Sequence, residues 1–128
     1  MGLGQYMAKE IIREIGNRSR EFYEFVMPPI DIYEDGSDLV VLIDLPAFQK
    51  KDINIRISKN ILSIRAQRTV ADEALVVYFH QRPKKIDKEI PLPIDLTDEE
   101  NVGTRAEYLD GVVSLRIPIR KTSNITIS

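Results

Sequence analysis

Residues 106–118 read Ala-Glu-Tyr-Leu-Asp-Gly-Val-Val-Ser-Leu-Arg-Ile-Pro, two short runs divided by Asp110-Gly111. Asp-Gly between alternating apolar runs predicts a two-residue β-hairpin turn, because both turn positions must take a positive φ. After the turn, Val113, Leu115 and Ile117 alternate with Ser114 and Arg116. Successive side chains of a strand point to opposite faces, so three aliphatic groups share one face and the polar ones take the other. The pattern alone specifies a β-hairpin and nothing more.

The same period of two recurs upstream. Asp35-Gly36-Ser37-Asp38 is a turn cluster between a run at 30–33 and the run Leu39-Val40-Val41-Leu42-Ile43-Asp44-Leu45. That second run is apolar on both faces, which suits a central strand. Residues 53–58 alternate cleanly, Lys59-Asn60 makes a turn, and Leu62, Ile64 and Ala66 alternate with Ser63, Arg65 and Gln67. Short strands at this spacing, with no helical pattern between them, predict an all-β fold, an immunoglobulin-like antiparallel β-sandwich over 29–118.

Two stretches depart from that grammar. Residues 69–85 begin polar and then turn apolar at Leu75, Val76, Val77, Tyr78 and Phe79. A loop of this length is often functional. It reads either as a flexible hairpin arm or as a strand that exchanges between two subunits, since an unpaired apolar strand invites aggregation. Residues 3–27 carry Met7, Ile11, Ile12, Ile15, Phe22 and Val26 at helical spacing, an apolar stripe on an amphipathic helix. Gly16-Asn17 is a candidate break, and Pro28-Pro29 a stop. Three readings stand for this N-terminal arm, 1–28: a helix docked on its own domain, a sticky arm outside it, or a helix lying on a membrane surface. The mixed charge of the polar face ranks the last one lowest.

Composition bounds the chemistry. The 128 residues carry a net charge of −2, so no strong field draws nucleic acid or an anionic membrane. With no Cys and one His, His80, neither disulfides nor thiolate or multi-histidine metal sites are available. No apolar run is long enough to span a bilayer, and the N-terminus has no signal-peptide pattern, so a cytoplasmic protein is expected. The two glycosylation sequons, at Asn17 and Asn124, are then chance matches. No Gly-rich phosphate loop and no Gly-x-Ser-x-Gly occurs, so neither ATP use nor enzymatic activity is expected, and no cofactor or metal. Short basic pairs at Lys50-Lys51 and Lys84-Lys85 lack interleaved aromatics and form no nucleic-acid track. Charged residues at 30%, beside heavy Ile usage, fit a thermophile.

Ala106, three residues, then Asp110-Gly111-Val112-Val113 resembles the signature of the small heat shock proteins, which is alanine, three residues, then Asn-Gly-Val-Leu. Asp for Asn keeps the turn, and Val for Leu keeps the packing. Ile125-Thr126-Ile127, one residue before the end of the sequence, resemble the family's Ile-x-Ile/Val tail motif, and a polar stretch from Ile119 to Asn124 links them to the hairpin. Ile86, Asp87, Lys88 and the following Leu92-Pro93 resemble a third family pattern, with Lys88 at the usual Arg position. Lysine lacks the planar fork that pairs bidentately with a carboxylate.

This archaeal-like resemblance covers about 29–127 and implies an α-crystallin domain with a variable N-terminal arm and a short extended C-terminal tail at 119–128. It implies an ATP-independent chaperone, a holdase that binds partly unfolded proteins under heat stress and keeps them from aggregating. Non-native client proteins are the implied partners, with a homodimer that assembles into a large homo-oligomer. The long interruption followed by an apolar run makes 75–79 the segment expected to cross to a neighbouring subunit and add a strand to its sheet. Ile125 and Ile127 would enter a groove lined by Ile53, Ile55, Ile57 and Ala106, on another dimer or on their own subunit. Met7, Ile11, Ile15, Phe22 and Phe25 are the expected client-binding side chains. The alternative is a β-sandwich adaptor or co-chaperone that recognises one folded partner.

Overall fold

A helix, α1 (Leu3–Val26), precedes strands β1 (Ile30–Asp35), β2 (Asp38–Asp44), β3 (Ile53–Ser58), β4 (Ile61–Gln67), β5 (Lys85–Pro91), β6 (Arg105–Leu109) and β7 (Val112–Pro118). The structure is a computed structural model and describes residues 3–68, 76–96 and 103–119. The strands form two antiparallel sheets, one ordered β1-β2-β7-β6 and the other β3-β4-β5. They pack face to face as a sandwich, as the alternation predicts.

The hairpin at the centre of the sequence argument has the expected geometry. Asp110 has φ 53° and Gly111 φ 79°, and Leu109 pairs with Val112 on either side. Both turn residues are left-handed, which matches the right-handed twist of the flanking strands. Val113, Leu115 and Ile117 of β7 are buried, as are Leu62, Ile64 and Ala66 of β4. With Leu39, Val41, Ile43, Leu45 and Ile86 they form one core between the sheets. Each large aliphatic side chain removed from water here contributes about 1.5–3 kcal/mol.

β2 lies between β1 and β7 and is buried on both faces, as its unbroken apolar run predicts. Val40 points away from the core yet is buried, flanked in register by Tyr33 of β1 and Arg116 of β7. The Arg116 guanidinium reaches Asp35 at 3.0 Å and Asp38 at 3.3 Å. Hydrogen bonding to Asp35 and then Asp38 raises the Arg116 pKa above its ordinary value. These two ion pairs are partly exposed and contribute little to stability.

The core extends past the last strand. Ile119, which the sequence assigns to the polar linker, is buried and donates its N–H to the Ser37 carbonyl at 2.9 Å. Linker composition is polar on average, but this one aliphatic residue sits where β7 still faces the opposite sheet.

Candidate functional site

β3 ends one edge of the three-stranded sheet and β6 ends one edge of the four-stranded sheet. Between them lies a cavity of about 230 Å³ lined by Lys50, Ile53, Ile55, Ala106, Glu107, Tyr108 and Val113. Three of the four groove residues expected from sequence therefore meet in one place. Ile57 does not line it. It pairs with Leu62 further along β3, and like Ile53 and Ile55, whose strand face it shares, it packs against the core.

Tyr108 is one of four lining residues that sequence reading missed, with Lys50, Glu107 and Val113. Its ring packs against the core and its hydroxyl lies 2.6 Å from the Leu45 carbonyl and 2.8 Å from the Phe48 carbonyl. That hydroxyl donates across to the loop after β2 and holds the floor of the groove in place. The signal was present, because Tyr108 stands two residues from Ala106 and so shares its face of the strand. Lys50 had no such signal, since it arrives through a short 3-10 turn, Lys50–Asp52. Lys50 and Glu107 place opposite charges at the mouth of an otherwise apolar slot. Such a slot suits an extended peptide with apolar side chains two residues apart, spaced about 6.6 Å along a strand. Ile125 and Ile127 have that spacing, and both lie outside the described residues.

The second feature is α1. It is one continuous helix, with no break at Gly16-Asn17. Gly in a helix costs only about 1 kcal/mol relative to Ala, and here it has a packing reason. Gly16 is buried against residues 79–80, where a Cβ would lie 2.9 Å from the His80 nitrogen. Glu24 Oε2 accepts the backbone N–H groups of Lys84 at 3.1 Å and Lys85 at 2.9 Å. Arg20 lies 3.6 Å from the same carboxylate. Arg13 Nε donates to the Val77 carbonyl at 3.2 Å. Positions 13, 16, 20 and 24 fall on one helix face. The helix is thus docked on its own domain, and it docks through its polar side.

The apolar stripe consequently points away. Met7, Ile11, Ile12, Ile15 and Val26 are exposed, Phe22 is 61% exposed and Phe25 74%. Phe22 and Tyr23 meet edge to face at 5.9 Å. Lys88, the residue at the family's Arg position, makes no carboxylate pair among the described residues. Its Nζ donates to the Phe25 carbonyl and lies 4.9 Å from the Phe25 ring centroid. A cation at the helix C-terminus satisfies an orphan carbonyl and opposes the negative end of the dipole.

The arm differs from its sequence expectation. Leu75 lies outside the described residues, and Val76, Val77, Tyr78 and Phe79 form no strand in this single chain. A strand needs a ladder partner, and 76–80 run along α1 instead. Lys9 Nζ lies 5.6 Å from the Tyr78 ring centroid. Val76, Tyr78 and Phe79 nevertheless remain exposed, Val76 at 69%. Beneath the arm, Arg68 stacks over Phe48 at 5.4 Å and donates to the Pro83 carbonyl. Burial lowers the Arg68 pKa, the neighbouring Arg82 lowers it further, and Glu24 opposes both.

Among the described residues no cluster of His, Cys, Asp or Glu is arranged to hold a metal ion. No described helix is long and apolar enough to cross a membrane. What the molecule offers is apolar surface in two forms, a slot between sheet edges and a stripe on a helix.

The comparisons with known proteins agree on what such a chain is. The profile of the Hsp20/alpha crystallin family matches residues 31–128. The 18 kDa heat shock protein of Streptomyces albus G is 37% identical over 93 residues, which are 71% of this chain and 64% of that protein. The 18 kDa antigen 1 of Mycobacterium avium is 34% identical over 92 residues, 71% of this chain and 60% of that protein. This chain thus spans less than two thirds of the length of these relatives. A crystal structure of a mutant of hsp14.1 from Sulfolobus solfatataricus P2 superposes with a TM-score of 0.74 at 42% identity, covering 94% of this chain and 97% of that one. On the profile match and these relatives, the chain is a member of the Hsp20/alpha crystallin family of small heat shock proteins.

Proposed function

We propose that the protein is an ATP-independent holdase that captures partly unfolded clients on the apolar stripe of α1. One observation carries this reading. The helix is fastened by its polar face, so Met7, Ile11, Ile15, Phe22 and Phe25 stand in water. Exposed apolar area of this kind marks an interaction surface. Met repacks around varied partners, and the aromatics supply large contact area. Preferential binding of unfolded chains is a mass-action effect that needs neither a cofactor nor a catalytic residue.

In the same reading, the arm at 75–79 pairs with a second copy to form a two-fold dimer, and each subunit both gives and receives a strand. Ile125 and Ile127 then enter the slot beside Ile53, Ile55 and Ala106 on a neighbouring dimer. Burying the two isoleucines is worth roughly 3–6 kcal/mol before the tail's ordering cost is subtracted, at about 1–2 kcal/mol for each residue fixed. Single joints are therefore weak and reversible, and a closed assembly holds through effective concentration.

The test is light scattering from a heat-aggregating client, with and without ATP. Suppression at near-stoichiometric ratio, unchanged by ATP, is the expected result. A chain that runs as a monomer and leaves the client's aggregation untouched would favour the adaptor reading and overturn this one.

A further inference from the structure

Among the described residues, the hydrogen bonds that seat α1 on the domain fall on the segment from Val77 to Lys88. Arg13 holds the Val77 carbonyl, Gly16 lies against the His80 backbone, and Glu24 accepts the N–H groups of Lys84 and Lys85. Lys88 closes the far end on the Phe25 carbonyl. Helix and segment run side by side in the same direction, with low numbers beside low and high beside high. The hydrogen bonds from Arg13 and Glu24 use the segment's backbone, and although Lys9 lies over the Tyr78 ring, Val76, Tyr78 and Phe79 stay exposed. A segment held by its backbone, with its apolar side chains in water, is parked rather than packed.

We infer that α1 is an intramolecular clasp on the exchange arm, so that a subunit must loosen α1 before its arm can pair with another copy. The inference rests on the reading that 75–79 exchange between subunits. A ladder with a partner strand requires the arm's N–H and carbonyl groups to turn toward that strand. The clasp engages part of the same backbone and fixes the arm's path along the helix. The clasped state and the exchanged state are then alternatives. The apparent dimer affinity is lowered by the fraction of chains that are clasped. Release also frees the polar face of α1, so arm exchange and the position of the apolar stripe are coupled in one equilibrium.

Gly16 and Glu24 are the places to break the clasp without touching the sandwich core. Gly16→Leu puts a side chain where even a Cβ would lie 2.9 Å from the His80 nitrogen and 3.0 Å from the Phe79 ring. It also improves helix propensity, so loss of the helix is not the expected effect. Glu24→Ala removes the acceptor for two backbone N–H groups.

The experiment measures, by sedimentation velocity on the full chain across a dilution series, the concentration at which half the subunits are monomeric. Amide hydrogen exchange is followed in parallel. Both variants are expected to lower that midpoint by about tenfold, equivalent to about 1.4 kcal/mol, and to speed exchange at the Lys84 and Lys85 amides in the monomer. A midpoint that stays or rises in both variants, with the β circular-dichroism signal intact, overturns the clasp. A third chain lacking residues 72–81 separates the two ideas. If that deletion leaves the midpoint unchanged, the arm is not the dimer contact and the underlying reading fails too. If the deletion abolishes dimers while Gly16→Leu and Glu24→Ala change nothing, the clasp alone fails.

Discussion

Gly111 shows how one residue is held by two independent demands. Its φ of 79° is a conformation that L side chains resist, and a Cβ would lie 3.1 Å from Pro46 Cα. Its carbonyl also accepts the Leu45 N–H at 2.7 Å, which ties the hairpin to the loop after β2. Gly111→Ala is expected to lower stability by about 1–3 kcal/mol, from left-handed strain together with the close approach to Pro46. Urea denaturation followed by circular dichroism measures it, and a change within error would show that the loop moves aside freely. Tyr108 acts on the same loop from the other side. Tyr108→Phe removes the hydroxyl that serves the Leu45 and Phe48 carbonyls. A cost of about 1–2 kcal/mol is expected, with looser binding of any peptide in the slot, read by titration of a fluorescent tail peptide.

At the scale of elements, the sandwich depends on its interior strands, β2 and β7 in one sheet and β4 in the other. β7 packs three buried aliphatic residues against β4, so Leu115→Ala or Ile117→Ala should cost about 2–5 kcal/mol through lost burial and a residual cavity. The edges β3 and β6 behave differently. Ile55→Lys puts a charge into the slot but leaves the far face of the sheet alone, so it should disturb assembly more than folding. Its expected outcome matches that of Ile125→Ala combined with Ile127→Ala, which is a shift from large oligomers to dimers at low micromolar concentration. Size-exclusion chromatography with light scattering reads both. If the tail variant disassembles the oligomer and Ile55→Lys does not, the tail binds somewhere other than this slot.

For the whole molecule, the arrangement separates a packed body from an exposed apolar surface on α1. The core lies between the sheets and does not need α1, which touches the domain through polar and backbone contacts. Removing residues 1–27 should therefore keep the β signal and a cooperative melt while abolishing protection of a heat-aggregating client. Full protection by the shortened chain would place client capture on the sandwich instead. Exposed aromatics and aliphatics on one helix are also an aggregation hazard for the protein itself. Burying the stripe between subunits of an assembly would contain that hazard and make it available when subunits separate.

Residue order by itself determined the strands and their faces. The period of two at Val113, Leu115 and Ile117, and again at Leu62, Ile64 and Ala66, is a local steric property of extended chain and needs no partner to be read. The turn at Asp110-Gly111 is equally local, since its φ angles follow from what those two residues tolerate. The slot was legible at Ile53, Ile55 and Ala106 because strand faces and family resemblance agreed there. Only the tertiary structure decided how α1 sits. Helical spacing showed that it has an apolar stripe, and such a stripe ordinarily turns inward. Here the core is already filled by the two sheets, and the surface left for the helix consists of backbone groups at 77–85, which hydrogen-bond to Arg13 and Glu24 from about sixty residues away. Contacts at that sequence distance leave no periodic trace. For the same reason Val76 and its neighbours, apolar enough for a strand, lie along a helix in the single chain, Ile57 lies beyond the slot although it shares a face with Ile53 and Ile55, and Ile119 belongs to the core rather than the linker. Each of these depends on which neighbours remain free once the sandwich has closed, and that is a property of the folded surface rather than of any stretch of chain.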